Sequence, residues 1–362
     1  MKMVNIDASE DIKKLDSQNV LGSIDELPDQ CLHAWEEAEK VDVPDFYKDI
    51  QNVVMCGMGG SGLGARVIES VYGSDLRLPL VRVNDYNLPG FSDIHTLVIC
   101  SSYSGETEET LQNAKEAIDR KCKWMAIGSG NSLIKLAQEK GVPCYIIDAK
   151  YNPSNQPRMA IGYSIVGQLV LASKVGLFKL QKSDIDESAE IMKTIQTKSH
   201  SEITENDNPA KQLARSMYGK VIIYVSSGHL IGAMHTVNNQ LNENTKNMST
   251  DVFIPELNHH LMEGLKHPEM NPQNLFFIFA DSNLYPERIK KRFTITKEVV
   301  EKNNIGYFEY TLNSINKLTQ SFELIQFGAY TNFYLSMLYD TDPAPIPWVD
   351  YFKEQLGQPL GK

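Results

Sequence analysis

Short apolar runs alternate with amphipathic stretches through the first half of the chain. Between residues 52 and 148 the apolar runs are VVMC, LPLVRV, TLVIC, WMAI and CYII. Helix-like stretches such as GLGARVIESVYG and TEETLQNAKEAIDRK lie between them. Strands that are buried on both faces are nearly continuously apolar, and strands that alternate with helices form parallel sheets. The pattern therefore predicts an α/β fold in which helices cover both faces of a mainly parallel sheet.

The same alternation begins again after a polar, charge-rich stretch. The later strand-like runs are KVIIYVSS, STDVFIPE, NLFFIFA and IGYFEYTL, with helix-like sequence among them. We therefore predict two doubly wound α/β domains, which cover residues 51–178 and residues 215–362. A helical segment over residues 1–50 precedes them, and a helical connection over residues 179–214 joins them.

Composition and charge are typical of a globular protein. Of the 362 residues, 42% are hydrophobic and 22% are charged, which is enough apolar material for a buried core in each domain. No apolar run reaches the roughly 18 residues of a membrane-spanning helix, and the polar first residues do not resemble a signal peptide. The net charge of −11 argues against nonspecific binding to nucleic acid. We therefore expect a cytoplasmic protein that binds neither membranes nor nucleic acid.

Cysteine and histidine spacing predicts no metal site. The cysteines contain no C-x-x-C pair, and the histidines form no H-x-x-x-H or H-E-x-x-H pattern. We expect buried, reduced thiols and a reaction that uses neither a metal nor a cofactor. The five cysteines are Cys31, Cys56, Cys100, Cys122 and Cys144.

A glycine-rich segment, GMGGSGLG at residues 57–64, lies between a predicted strand and a predicted helix. Glycine lets the backbone come close to a ligand, and the following helix offers unpaired N–H groups that suit a phosphate. The segment is not a P-loop, because no Gly-Lys-Ser or Gly-Lys-Thr follows it. It also lacks the acidic residue of a dinucleotide site about 20 residues further on. Phosphate binding and a plain strand-to-helix turn both remain open for this segment alone.

A second polar segment, SSYSGETEET at residues 101–110, follows the next buried strand candidate. The carboxyl ends of parallel strands meet at one edge of a sheet, where ligands bind in such folds. One hydroxyl can be explained as a helix N-cap, but the segment has four before its helix. The two segments together predict a phosphate cradle. Its candidate residues are Gly59, Gly60, Ser61, Ser102, Ser104 and Thr107.

GMGGSG and SSYSGETEET together resemble the sugar isomerase (SIS) domain, a doubly wound module that binds phosphosugars. Further along, QPRMAIGYS, QLNENTK, PELNHH and YFKEQL occur in the order found in bifunctional phosphoglucose/phosphomannose isomerases. The resemblance covers roughly residues 40–357. It implies two SIS-type domains, the second ending in a C-terminal catalytic segment. It also implies a homodimer whose active site is shared between subunits, with the histidine supplied by the partner.

The resemblance implies an aldose–ketose isomerase. Such an enzyme interconverts glucose 6-phosphate, and mannose 6-phosphate, with fructose 6-phosphate through a cis-enediol. Glu243 in QLNENTK would move the proton, and Arg158 in NQPRMAIGY would stabilise the enediolate. His259 in PELNHH and Lys353 in YFKEQL would open the sugar ring. Two alternatives remain: a non-catalytic phosphosugar sensor, and an isomerase for another phosphosugar such as an amino sugar.

Three features depart from the pattern of these isomerases. A second histidine, His260, directly follows His259, so either ring is a candidate for ring opening. The segment around Tyr151 lacks the usual glycine-proline run, and the segment after Leu261 lacks the usual tryptophan. The shape of the sugar pocket and the ratio of glucose to mannose activity therefore stay open.

Overall fold

Two parallel β-sheets form the framework of the protein in this computed structural model, which describes residues 5–357. The first sheet has the strand order β2-β1-β3-β4-β5 and the second has the order β7-β6-β8-β9. All neighbouring strands in both sheets run parallel. The predicted architecture of two doubly wound α/β sheets is confirmed. The strands are β1 Asn52–Cys56, β2 Leu80–Val83, β3 Thr96–Ser101, β4 Lys123–Gly128, β5 Cys144–Ile146, β6 Val221–Ser227, β7 Ser249–Ile254, β8 Leu275–Ser282 and β9 Gly306–Leu312.

Helices connect the strands and cover the sheets. None of the helices within residues 5–357 combines the length and apolarity that crossing a bilayer requires. The helices are α1 Ser9–Leu15, α2 Val20–Asp25, α3 Leu27–Ala38, α4 Leu63–Tyr72, α5 Glu108–Asp119, α6 Asn131–Lys140, α7 Ile161–Lys174, α8 Lys182–Ser199, α9 Pro209–Met217, α10 Ile231–Gln240, α11 Asn271–Asn274, α12 Glu287–Lys302, α13 Lys317–Leu338 and α14 Pro347–Leu356.

The chain divides into two compact units, and each is assembled from several segments. The first unit contains the first sheet and comprises residues 29–65, 75–181 and 344–357. The second unit contains the second sheet and comprises residues 5–28, 66–74 and 182–343. The C-terminal helix α14 therefore belongs to the unit that carries the first sheet, although it follows the second sheet in sequence.

The first unit buries its sheet on both faces. Every residue of β3 is buried, and so are residues 53–56 of β1. Apolar side chains from α5 and α6 pack with Val54, Val98 and Ala126 on one face. Alternate residues of a strand point to opposite faces, so Val53 and Leu97 face the other side, which α7 covers. Residues 161–172 of α7 are all buried, and the helix packs against β3 and β4.

The second unit is built around α13, whose residues 318–338 are all buried. This helix packs against α8, α9 and α10. Its polar side chains form hydrogen bonds inside the unit, as in the 2.9 Å bond from Asn332 Nδ2 to the Val237 carbonyl. Its N-terminus is closed by a capping box between Asn316 and Thr319. A helix that is buried all around has no amphipathic stripe, which is why the sequence pattern did not single it out.

Candidate active site

The glycine-rich segment makes a tight turn between β1 and α4. Gly59 has a φ of +49°, a left-handed conformation that favours glycine. A Cβ atom at Gly62 would lie 2.7 Å from the carbonyl oxygen of Gly57, so the two ends of the turn touch. A Cβ at Gly60 would lie 3.6 Å from Arg158 Cα. The turn therefore brings Gly60 next to a second candidate residue, Arg158.

The glycine and serine segments are joined by a direct hydrogen bond. The Tyr103 backbone N–H donates to Ser61 Oγ at 2.9 Å. This contact follows from the topology, because β1 and β3 are adjacent in the sheet and both segments leave its carboxyl edge. The phosphate-cradle candidates from residues 59–107 are thus neighbours in the folded chain.

The serine segment is organised around the fully buried Ser102. Its Oγ accepts the N–H groups of Gly105 at 3.1 Å and Thr107 at 3.4 Å. The same oxygen lies 2.8 Å from Thr107 Oγ1. Because both lone pairs of Ser102 Oγ are used, its proton points to Thr107 Oγ1. The hydroxyl proton of Thr107 is then left to donate to another group.

Two further hydroxyl groups are arranged in the same way. Ser61 Oγ accepts from Tyr103, and Ser104 Oγ accepts the Glu106 N–H at 3.3 Å. Each of these hydroxyls keeps its own proton for donation. The side chain of Thr107, the N-cap of α5, leaves the N–H groups of that helix uncapped. Three hydroxyl donors beside a helix N-terminus are a suitable set for an anion.

Two buried residues of α7 support both segments, and the sequence reasoning missed them. Ser164 Oγ donates to the Gly60 carbonyl at 3.0 Å. Gln168 Nε2 lies 2.8 Å from the Ser61 carbonyl, 3.3 Å from Ser101 Oγ and 3.1 Å from Ser164 Oγ. Two polar residues four positions apart in the apolar helix IGYSIVGQLVLA were the available signal.

Tyr103 ties the serine segment to the segment that precedes Arg158. Its hydroxyl accepts a long hydrogen bond of 3.5 Å from Asn152 Nδ2. Burial raises the pKa of Tyr103, while the bond from Asn152 lowers it. The ring is therefore neutral at physiological pH and adds no negative charge to the cradle.

Arg158 lies in a short 3₁₀ turn, Pro157–Met159, and only 4% of its surface is exposed. Its Nη1 donates to Gln156 Oε1 at 2.8 Å, and its Nη2 donates to the Ala344 carbonyl at 2.6 Å. These contacts hold the guanidinium in one orientation. A fixed and poorly solvated cation interacts strongly with a negative charge nearby.

Glu243 lies in the second unit, on a π-helical turn, Leu241–Thr245, that continues α10. Its side chain is half-buried. The neighbouring Asn242 pins the turn to β7: its Nδ2 donates to Ser249 Oγ at 2.9 Å and its Oδ1 accepts the Ser249 N–H at 3.2 Å. Thr245 Oγ1 donates to the Asn332 carbonyl of α13 at 2.9 Å. π-helical turns of this kind occur frequently at functional sites.

His259 and His260 lie in the same unit, where two 3₁₀ turns meet after β7. Both side chains are exposed, and neither ring hydrogen-bonds to any residue in the part of the chain that the structure describes. Asn258, just before them, anchors the turn: its Nδ2 donates to Thr296 Oγ1 at 2.8 Å, and its Oδ1 accepts from Arg292 Nη1 at 3.1 Å. The backbone is therefore held while the rings face solvent.

Lys353 lies on α14 in the first unit, and all ten residues of that helix are exposed. Five large apolar or aromatic side chains of α14 are exposed: Trp348, Val349, Tyr351, Phe352 and Leu356. Trp348 is 80% exposed and Phe352 is 61% exposed. An exposed helix with this much apolar surface is typical of a protein–protein contact.

The structure gathers Gly59, Gly60, Ser61, the serine segment and Arg158 within the first unit. Glu243 and the two histidines belong to the second unit. Among the described residues, the candidate site residues form no group of three metal-ligating side chains.

Comparisons of the sequence with known proteins show its family. The sequence model of the bacterial phospho-glucose isomerase C-terminal SIS domain matches residues 206–356. A bifunctional phosphoglucose/phosphomannose isomerase of Caldicellulosiruptor bescii is 31% identical over 342 residues, which is 93% of this chain and 98% of that protein. A protein of the same name from Aquifex aeolicus is 29% identical over 89% of this chain and 94% of that protein.

Solved structures show the same fold at low sequence identity. A hypothetical protein of Thermus thermophilus superimposes with a TM-score of 0.74 at 15% identity, over 97% of this chain and 94% of that chain. A glucose-6-phosphate isomerase-like protein of the same organism superimposes with a TM-score of 0.59 at 17% identity, over 94% of this chain and 98% of that chain.

We expect Gln168→Leu to loosen the anion cradle. The substitution keeps the apolar contacts but removes the amide that bonds Ser61, Ser101 and Ser164. Leaving these buried acceptors unpaired should lower the free energy of unfolding by about 2 kcal/mol, measured by urea denaturation. The rise in melting temperature that inorganic phosphate causes should also shrink. Gln138→Leu, at an exposed position on α6, is the control; equal losses in both variants would contradict this role for Gln168.

We expect Asn242→Ala to free the π-helical turn that carries Glu243. Losing the bonds to Ser249 should raise amide hydrogen exchange over residues 241–245 by about tenfold, which corresponds to about 1.4 kcal/mol. Asn303→Ala is the matched control, because Asn303 Nδ2 also donates to a backbone carbonyl, that of Val299, but at the end of α12. Unchanged exchange over residues 241–245 in Asn242→Ala would show that Asn242 does not hold the turn.

Proposed function

Because this chain belongs to the family of bifunctional phosphoglucose/phosphomannose isomerases, we propose that it interconverts glucose 6-phosphate and mannose 6-phosphate with fructose 6-phosphate. The observation that carries the proposal is the pair of joined turns at the edge of the first sheet. Their available hydroxyl protons and the uncapped helix N-terminus support the binding of a phosphate monoester at this edge.

The phosphate is bound by neutral donors rather than by a cluster of lysines. Thr107, Ser61 and Ser104 donate their hydroxyl protons, while Ser102 orients Thr107 from inside the segment. Gly59 and Gly60 keep the turn free of side chains, so the ligand can approach the backbone. Such a site can bind an anion even though the net charge of the protein is −11.

Glu243 acts as the base that moves the proton. Its carboxylate takes the proton from C2 of the open-chain aldose, which gives a cis-enediolate with the negative charge on O1. The hydroxyl proton of O2 passes to O1, and the carboxylic acid returns its proton to C1 as O2 becomes the ketone oxygen. A half-buried carboxylate on a pinned turn supports this role, because proton transfer requires a fixed distance to the carbon.

Arg158 stabilises the negative charge that develops on the enediolate oxygens. Its guanidinium is already oriented by Gln156 and the Ala344 carbonyl, so little reorganisation is needed when the charge appears. His259 and Lys353 open the sugar ring by moving protons to and from the ring and anomeric oxygens. His260 is the alternative to His259.

The exposure of His259, Lys353 and α14 supports a homodimer in which each active site receives its histidine from the other chain. A proton-transfer group works best where water is excluded, and a second chain would provide that exclusion. No step of this mechanism uses a metal or a cofactor. We place the enzyme in the cytoplasm, in the sugar-phosphate interconversions of glycolysis or gluconeogenesis.

We expect Glu243→Gln to lower kcat by about 10³-fold or more with both aldose phosphates, because a general base contributes about 10²–10⁴-fold. Binding of fructose 6-phosphate, measured by calorimetry, should persist. The coupled assay is run in EDTA, and Glu298→Gln, an exposed glutamate on α12, is the control. A kcat within tenfold of wild type would reject Glu243 as the base. A wild-type protein that binds sugar phosphates without turnover would be a sensor.

We expect two inactive variants to restore each other's activity if the site is shared. Co-expressing Glu243→Gln with His259→Ala should give mixed dimers with one intact site, and about one quarter of wild-type activity overall for random pairing. Light scattering gives the oligomeric state, and His260→Ala alone should stay active. An inactive mixture of confirmed dimers would mean that each chain uses its own histidine.

A further inference from the structure

A second group of chemically capable side chains lies in the first unit and includes none of the isomerase residues. His33 and Glu37 lie on α3, and Asp148 lies just after β5. One ring nitrogen of His33 and one carboxylate oxygen from each acid all lie within 4.8 Å of one another. His33 Nε2 is 3.7 Å from Glu37 Oε1.

The helix places two of these groups on one face. Residues four positions apart on a helix are neighbours, so His33 and Glu37 point the same way. Their side chains are 19% and 20% exposed, and Asp148 is exposed. The group is therefore largely desolvated on one side and still open to an ion that enters from solvent.

Two tyrosine hydroxyls contact the remaining polar atoms of His33 and Glu37 and so orient both side chains. Tyr163 Oη lies 3.2 Å from His33 Nδ1, which leaves Nε2 directed at Glu37. Tyr145 Oη donates to Glu37 Oε2 at 3.0 Å, which leaves Oε1 directed at His33. Metal-binding histidines and carboxylates normally have their remaining atoms held by such partners.

The charge of the group is unbalanced. Within residues 5–357, no lysine or arginine lies within 4.0 Å of the carboxylate of Glu37 or Asp148. Lys150 is close in sequence, but its Nζ lies over the ring of Tyr151, 4.9 Å from the ring centre. Two carboxylates beside an imidazole nitrogen offer three ligand atoms to a divalent cation.

We propose that His33, Glu37 and Asp148 bind one divalent first-row transition-metal ion of the zinc or cobalt type. Imidazole nitrogen and carboxylate oxygen are both zinc ligands, and zinc sites with three protein ligands leave a fourth position for water. Ligand atoms around a tetrahedral zinc ion lie about 3.4 Å apart, given bonds of about 2.1 Å. The Nε2–Oε1 distance of 3.7 Å is already close to that value, and the exposed Asp148 side chain can close the remaining gap.

The ion would tie α3 to the segment that carries Arg158. Asp148 begins this segment, and α3 already holds it through Gln30, whose Nε2 donates to the carbonyls of Tyr151 at 3.0 Å and Met159 at 2.9 Å. A metal bridge from His33 and Glu37 to Asp148 adds a second tie one turn further along α3. The inference goes beyond the isomerase function: the ion is a structural tie, and the proton transfer does not use it.

The test is titration of the chelator-stripped full chain with ZnCl₂ by calorimetry. We expect one ion per chain, and an affinity at least about tenfold weaker in Asp148→Asn and in His33→Gln. Asp148→Asn is the primary variant, because Asp148 is exposed and its loss should not affect folding. Asp119→Asn, an exposed acid on α5, is the control and should bind like wild type. Zinc should raise the melting temperature of wild type but not of Asp148→Asn.

Cobalt gives an independent readout. Co²⁺ should produce visible d–d bands in wild type that disappear in Asp148→Asn. A sulfur-to-cobalt charge-transfer band would instead place the ion on a cysteine such as the partly exposed Cys144 and would overturn the proposal. Unchanged zinc affinity in Asp148→Asn would also overturn it and leave His33–Glu37 as a simple helix ion pair. Isomerase activity of wild type should be the same with and without EDTA, so the outcome is separate from that of the proposed function.

Discussion

The buried amide of Gln168 is the contact on which the two polar turns of the first unit depend. It bonds to the glycine turn, to the end of β3 and to Ser164 on its own helix, so one side chain sets the spacing of both turns. The hydrogen bond from the Tyr103 N–H to Ser61 Oγ then fixes the position of one turn relative to the other. Hydroxyl groups select a phosphate only when their protons point the right way. The direction of each hydroxyl proton is determined by the backbone N–H groups from which the hydroxyl oxygen accepts hydrogen bonds.

Each unit contains one candidate residue that is held firmly and one that is exposed. Arg158 is buried and bonded on two sides, and Glu243 is on a turn pinned by Asn242. His259 and Lys353 are exposed, although the backbone before the histidine is anchored. Stabilising the enediolate and moving a proton to or from carbon both require a fixed distance between the side chain and the substrate. Ring opening moves protons only on oxygens, which already exchange protons readily with water. In the proposed mechanism, a second chain would cover this exposed pair.

Sequence patterns predicted the strands well but missed the buried helix α13. All nine strand candidates are strands. The central strands β1, β3 and β4 are buried almost throughout, so they appear in the sequence as continuous apolar runs. Helix α13 was not recognised, since its polar residues are satisfied inside the unit and leave no polar face. Ser164 and Gln168 were missed because isolated polar residues in an apolar helix give no sign, in the sequence, of the groups they bond to. The group of His33, Glu37 and Asp148 has no local signature, because α3 and the end of β5 meet only in the fold.

By itself the sequence determined the fold class, the two polar turns after β1 and β3, and the family. Each of these follows from residues that are close in the chain, where side-chain periodicity and glycine content act directly. Tertiary structure alone decided that Ser102 faces inward while Ser61 and Thr107 keep protons to donate, and that Arg158 lies against Gly60. It also decided that α14 belongs with the first sheet. These features depend on groups that are distant in sequence, and only packing of the whole chain selects which of them satisfy each other's hydrogen bonds.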